Sequence, residues 1–171
     1  AALQTGKYGV MLQSVQLYDQ TGVIVQETEA AMGKDIKVAG VATVSESLKT
    51  AFATEDQFGN PTVNMATAKP VSLLCASGFA QTYNLLTGHR DATLAENGDA
   101  GELNTTLWPI TDLETLEIIS QWDTPEGGKW IVDYDIVDSM LAVNNPDLTN
   151  ADIQAIVDSV TYESTLERLG E

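Results

Sequence analysis

WPITDLETLEIISQWDTPEGGKWIVDYDIVDSMLAV, residues 108–143, carries all three tryptophans of the 171-residue chain: Trp108, Trp122 and Trp130. Large aromatics bury the most area per residue, so the core is expected here. Thr111 followed by Glu114 has the spacing of a capping box, with the hydroxyl accepting from the N3 amide and the Glu reaching back. Pro109 keeps the chain extended just before it. Leu113, Leu116, Ile119 and Trp122 then recur at helical spacing, and Asp112, Glu114 and Glu117 lie in the first turns, where the helix dipole favours anions. The spacing predicts a helix over 112–122. Pro125 and the Gly127-Gly128 pair end it in a turn. Beyond the turn, Trp130, Val132, Tyr134 and Ile136 alternate with Ile131, Asp133, Asp135 and Val137, the period of a strand. Helix and strand are expected to pack through Trp122 and Trp130.

Upstream, residues 7–18 and 22–28 are two β-rich runs joined by Asp19-Gln20-Thr21-Gly22, a spacing that predicts a hairpin. Val10 and Leu12 share one face of the first run, while Met11, Val15 and Leu17 share the other. A strand apolar on both faces is central or is covered by a neighbouring subunit, which makes residues 1–20 a candidate intersubunit arm. Residues 35–44 read as a third strand, with Ile36 and Val38 alternating before Gly40. Ser45 caps a short helix with Leu48 and Phe52 inward, Asp56–Pro61 is a loop, and 63–67 is a weaker strand.

Residues 70–88 (PVSLLCASGFAQTYNLLTG) contain no charge. Pro70 and Gly88 bracket them as helix ends, and a helix over 71–87 is expected. Val71, Leu74, Cys75, Gly78, Thr82 and Leu85 form one stripe, widened by Phe79 and Leu86. This stripe is read as buried in the core or pressed against another subunit. Ser72, Ser77, Gln81, Thr82 and Asn84 make it too polar for a membrane span. His89–Asn104 is a long acidic loop of a length often tied to function. At the C-terminus, Thr149 and Asp152 form a capping box, and Leu148 with Ile153 a hydrophobic staple, at the head of a helix over 150–160. Its stripe is Ile153, Ile156, Val157 and Val160, with Leu166 and Leu169 prolonging it toward Gly170.

The net charge is −17 and uneven: residues 1–90 hold seven acids against six bases, residues 91–171 eighteen against two. Clustered Lys and Arg are missing, which argues against sequence-specific nucleic-acid binding and against anionic membrane surfaces. Cys75 stands alone, so no intramolecular disulfide forms, and an apolar stretch keeps its thiol inert. The chain begins at Ala1, as left by removal of an initiator Met or of a signal peptide.

No catalytic signature is complete. His89-Arg90-Asp91 spells the protein-kinase HRD without a Gly-rich loop or DFG, and the single histidine has no Gly-x-Ser-x-Gly partner. One His and one Cys cannot build a zinc or iron site. Asp91, Glu96, Asp99 and Glu102 are the candidate Ca²⁺ ligands, although off the EF-hand spacing. Asp133, Asp135 and Asp138 could serve acid–base chemistry but read better as a solvated strand face. Gly127-Gly128-Lys129 lacks the rest of a phosphate loop, and Asn104-Thr105-Thr106 is a formal glycosylation sequon.

Taken together, these features predict one α+β domain over 1–171: a mostly antiparallel β-sheet or small β-sandwich with about three helices. The function expected is a structural, self-assembling subunit, without cofactor or enzymatic activity. It would belong to a virus or phage particle (capsid, neck or tail) or an extracellular filament. The acidic surface or lumen would let nucleic acid slide by like-charge repulsion. Val10, Leu12, Leu74, Phe79 and Leu86 are the contact candidates, and copies of itself and other assembly proteins the partners. The alternative is an extracellular or periplasmic binding module using the 89–104 loop, with or without Ca²⁺. A carboxylate-based hydrolase comes third.

Overall fold

The computed structural model describes residues 5–13, 18–41 and 44–170. Seven helices and two small two-stranded sheets make up the described chain, a helix-rich α+β fold. The expectation of a mostly antiparallel sheet or sandwich is overturned. The chain forms two compact units: residues 1–69 with 107–121, and residues 70–106 with 122–171.

In the first unit, β1 (Val10–Gln13) pairs in parallel with β2 (Lys37–Gly40), Val10 opposite Lys37. Parallel strands need a crossover, and α1 (Tyr18–Met32) supplies it. The expected hairpin is therefore absent, and its turn and second strand lie within α1. The sequence signal for the helix was present but polar: Thr21, Val25, Thr28 and Glu29 are buried at helical spacing, while Val23 and Ile24 face outward. Gly22 lets α1 approach the chain at Thr62, whose methyl would lie 3.0 Å from an added Cβ. Residues 1–4 of the N-terminal arm, Val15 and Leu17 of the first run, and Ala42-Thr43 of the third strand lie outside the described residues.

α2 (Glu46–Ala53) begins where expected, with the Ser45 hydroxyl accepting from the Leu48 amide, and it buries Leu48, Ala51 and Phe52. β3 (Ala66–Ala68) pairs antiparallel with β4 (Trp108–Ile110), seating Trp108 in this unit's core. α4 (Leu113–Ile119) packs on α2 and buries Leu116 and Ile119. It is shorter than the predicted 112–122, and its cap is Asp112 rather than Thr111. The Asp112 carboxylate accepts from the Thr115 amide at 2.8 Å and from the Thr111 hydroxyl at 3.2 Å. The hydrogen bonds from Thr115, chiefly its backbone N–H, hold the Asp112 carboxyl below its ordinary range. An acid with a lowered folded pKa stabilises above the unfolded value, about 3.9, and loses that contribution as pH falls through the folded one. Asp112→Ala should thus cost about 1 kcal/mol at neutral pH. The gap from wild type should close on acidification below roughly pH 4, as read by urea unfolding across a pH series.

In the second unit, α3 (Val71–Leu86) leads into a 3-10 turn at Arg90–Thr93. Pro70 has no capping side chain. Asp123 caps α3 from across the chain instead, one oxygen accepting from the Ser72 amide (3.1 Å) and the other from the Ile131 amide (3.0 Å). Asp123 holds φ at 55°, a conformation that glycine adopts more easily, while its carboxylate makes both bonds. The turn expected at 125–128 is present, closed by the Asp123 amide donating to the Lys129 carbonyl.

The predicted strand at 130–137 is a bend followed by α5 (Tyr134–Ser139). Asp133 is its N-cap, accepting from the Ile136 amide, and it also receives Arg168 at 3.3 Å. A capping Asx overrode the apparent alternation. Trp130 is 48% exposed, and the expected Trp122–Trp130 contact gives way to Trp122 against Tyr162, ring centroids 5.5 Å apart.

α6 (Asn150–Ser159) carries the anticipated Thr149–Asp152 capping box, with Leu148, Ile153, Val157 and Val160 buried. Bonds from the Thr149 hydroxyl, and from its amide, lower the exposed Asp152 carboxyl. The chain does not continue α6 past Val160. α7 (Tyr162–Leu169) starts afresh on its own Thr161 cap and stops at left-handed Gly170.

Candidate functional site

The side of α3 that faces the core is not the stripe the sequence suggested. Leu73, Ser77, Ala80 and Asn84 are buried, at offsets of four, three and four residues, which is a complete helical face. Asn84 anchors it: its side-chain amide donates to the Met140 carbonyl (3.0 Å), and its carbonyl accepts from the Ala142 amide (2.8 Å). Val71, Leu74, Cys75, Gly78, Phe79, Thr82, Leu85 and Leu86 point the other way, to solvent. Phe79 is 52% exposed and Leu86 80%. Phe79 and Tyr83 lie with ring centroids 5.7 Å apart along the same helix. The structure therefore corrects the expectation for Cys75, which is an exposed thiol rather than a buried one.

An apolar, uncharged helix face is unusual beside so many acids. The second unit holds fifteen acids against three bases, the first ten against five. The charge division is thus milder than the division by sequence halves, because residues 112–117 fold into the first unit. Isolated exposed apolar residues are ordinary, whereas these are contiguous along one helix face.

The other contact candidates, Val10 and Leu12, lie on β1 and are 66% and 71% exposed. Met11 is half-buried and Gln13 buried on the opposite side. Among the described residues β1 pairs with β2 alone, so it forms a sheet edge, the usual place for strand addition.

The 89–104 loop is tied down rather than loose. Asn104 and Gln154 exchange two hydrogen bonds, at 2.8 and 2.9 Å, and buried Asn150 donates to the Glu102 carbonyl. Gln81 reaches both the Gly101 carbonyl and Asn150. A Cβ on Gly101 would fall 2.5 Å from the Asn150 side chain, so only glycine permits this seam. Loop and α6 enclose a cleft of about 870 Å³. Leu94, Ala95 and Ala151 supply apolar wall; Asp91, Glu96, Glu102 and Asp158 contribute carboxylates, and among the described residues no Lys or Arg lines it.

Of the four candidate Ca²⁺ ligands, Asp91, Glu96 and Glu102 border this cleft, whereas Asp99 binds the Asn97 side chain. Their oxygens do not converge. Among the described residues the carboxylates that do converge are Glu29, Asp35 and Asp56, which no motif announced. The one advance signal was the helical spacing that buries Glu29. Asp133 and Asp135 do not form a strand-face pair: Asp133 caps α5 and Asp135 lies exposed in its first turn. Asp138 accepts from Asn144.

No helix among the described residues is long and apolar enough to cross a membrane. No protein-family model, curated protein or solved structure matches the chain.

Proposed function

We propose that this chain is a self-assembling structural subunit, and that the outer face of α3 is where a second copy of the chain seats. The observation that carries this reading is the exposed strip from Val71 to Leu86, free of charge within a unit holding fifteen acids. Two copies approaching by most other surfaces bring carboxylates together; through this face they desolvate only apolar groups. A 16-residue helix is about 24 Å long and 10 Å across. One such strip falls short of the roughly 800 Å² per partner of a stable interface, so association is concentration-dependent unless a second surface joins. The edge strand with Val10 and Leu12 is the candidate for that second surface. A virus or phage particle component, or an extracellular filament subunit, is the setting this reading points to. Light scattering over a concentration series tests it, with a monomer at every concentration as the contrary result.

A second reading draws on the cleft beside the 89–104 loop. Apolar walls and four carboxylates suit a small organic cation with an apolar body, in place of the Ca²⁺ first expected there. A diamine or guanidinium compound should raise the melting temperature of wild type, and Asp158→Asn with Glu102→Gln should remove that rise. An equal rise in the double variant would show only bulk charge screening.

A further inference from the structure

The first unit buries a carboxyl group with one oxygen unpartnered. Glu29, in the last turns of α1, is 0% exposed. Its Oε1 accepts from the Ile36 amide at 2.8 Å, whereas its Oε2 is shut from solvent with no hydrogen-bond partner. Asp35, in the link to β2, is arranged alike: Oδ2 meets Lys37 Nζ at 2.7 Å and the Asn60 side-chain Nδ2 at 3.2 Å, and Oδ1 is buried without a partner. Asp56, in the loop after α2, is braced through Oδ1 by the amides of Phe58 and Asn60. One oxygen from each of the three lies within 4.8 Å of the others. Burial first, then the charges of Asp56 and Asp35, push the Glu29 carboxyl above its usual range, against the Ile36 bond and Lys37.

We infer that Glu29, Asp35 and Asp56 form a binding site for a hard divalent cation of the Ca²⁺ type. A buried carboxylate oxygen without a partner is costly, and two in one cluster call for a shared occupant. Oxygen-only ligands exclude soft metals. A set of protein carboxylates suits Ca²⁺, which takes protein oxygens in flexible geometry, better than Mg²⁺, which keeps several of its waters. Three carboxylates and Lys37 sum to −2, which one such ion cancels. Each carboxylate is held through one oxygen by an amide or ammonium donor, the outer bracing that orients metal ligands.

The test uses the whole chain, stripped with chelator and titrated with CaCl2, and separately MgCl2, at matched ionic strength. One Ca²⁺ per chain should bind by calorimetry. A hundredfold excess over Kd should raise the melting temperature by roughly 5 °C or more. Glu29→Gln keeps an acceptor for Ile36 and removes the ionisable group from the buried position. It should melt higher than wild type without metal and lose the Ca²⁺ response. Asp56→Asn, which keeps the Oδ1 acceptor, should also lose the response, and Glu102→Gln at the separate cleft should retain it. No saturable Ca²⁺ effect on wild type would overturn the site in favour of a proton shared among the three. So would a one-to-one response that survives in both Glu29→Gln and Asp56→Asn.

Discussion

Asn84→Leu should destabilise the second unit by roughly 3–5 kcal/mol, a large fraction of the total for a domain of this size. Leucine keeps the branching of asparagine and is the bulkier of the two, so the loss is not a cavity effect. It comes from the Met140 carbonyl and the Ala142 amide, which Asn84 satisfies at 3.0 and 2.8 Å in the interior. Both residues are almost wholly buried, so water cannot replace the lost partners without opening the core. Each orphaned group costs about 1–3 kcal/mol. Asn84→Asp keeps the acceptor for Ala142 but sets a carboxylate against the Met140 carbonyl, and should fare no better. Ser77→Ala provides the contrast: Ser77 lies on the same buried face but donates only to Leu74 of its own helix, and its loss should stay under about 1 kcal/mol. Urea unfolding followed through Trp122, buried against Tyr162 in this unit, separates the two outcomes.

The second large effect concerns association. Phe79→Asp with Leu86→Asp should weaken self-association by roughly 100-fold or more while leaving the melting temperature of the dissociated chain nearly unchanged. Both side chains face solvent in the single chain, so folding does not depend on them. In a two-fold contact each substitution appears twice, and four carboxylates would then be desolvated against one another. Raising ionic strength should strengthen wild-type association, because it screens repulsion between chains of net charge −17. Leu73→Asp or Ala80→Asp, on the buried side of the same helix, should unfold the unit instead. That contrast distinguishes a contact surface from a core. A monodisperse wild-type monomer at high concentration and high salt would remove the assembly reading.

Much of what could be read in advance was local. Ser45, and the Thr149–Asp152 box, act through hydrogen bonds spanning three residues, so their helix starts are written in adjacent side chains. The Asp56–Pro61 loop and the turn after Pro125 are equally short-range. Where two local codes competed, alternation misled. Residues 130–137 show a strand period, yet the Asp133 carboxylate bonding the Ile136 amide makes them a helix start. At 22–28 an apolar run hid a helix whose buried face includes Thr21, Thr28 and Glu29.

By itself, the sequence determined where α2, α3 and α6 begin, that α3 is long and uncharged, and that the chain is strongly acidic. Those properties reside in residue type and near-neighbour bonding. Only the tertiary structure decided which side of α3 is covered, because the more apolar stripe that periodicity picks out is the one left exposed. The choice falls to Asn84, whose two bonds reach a turn more than fifty residues away. The parallel pairing of β1 with β2, and the meeting of Glu29, Asp35 and Asp56, are of the same kind. Their partners are set by packing of distant segments, which no spacing along the chain records.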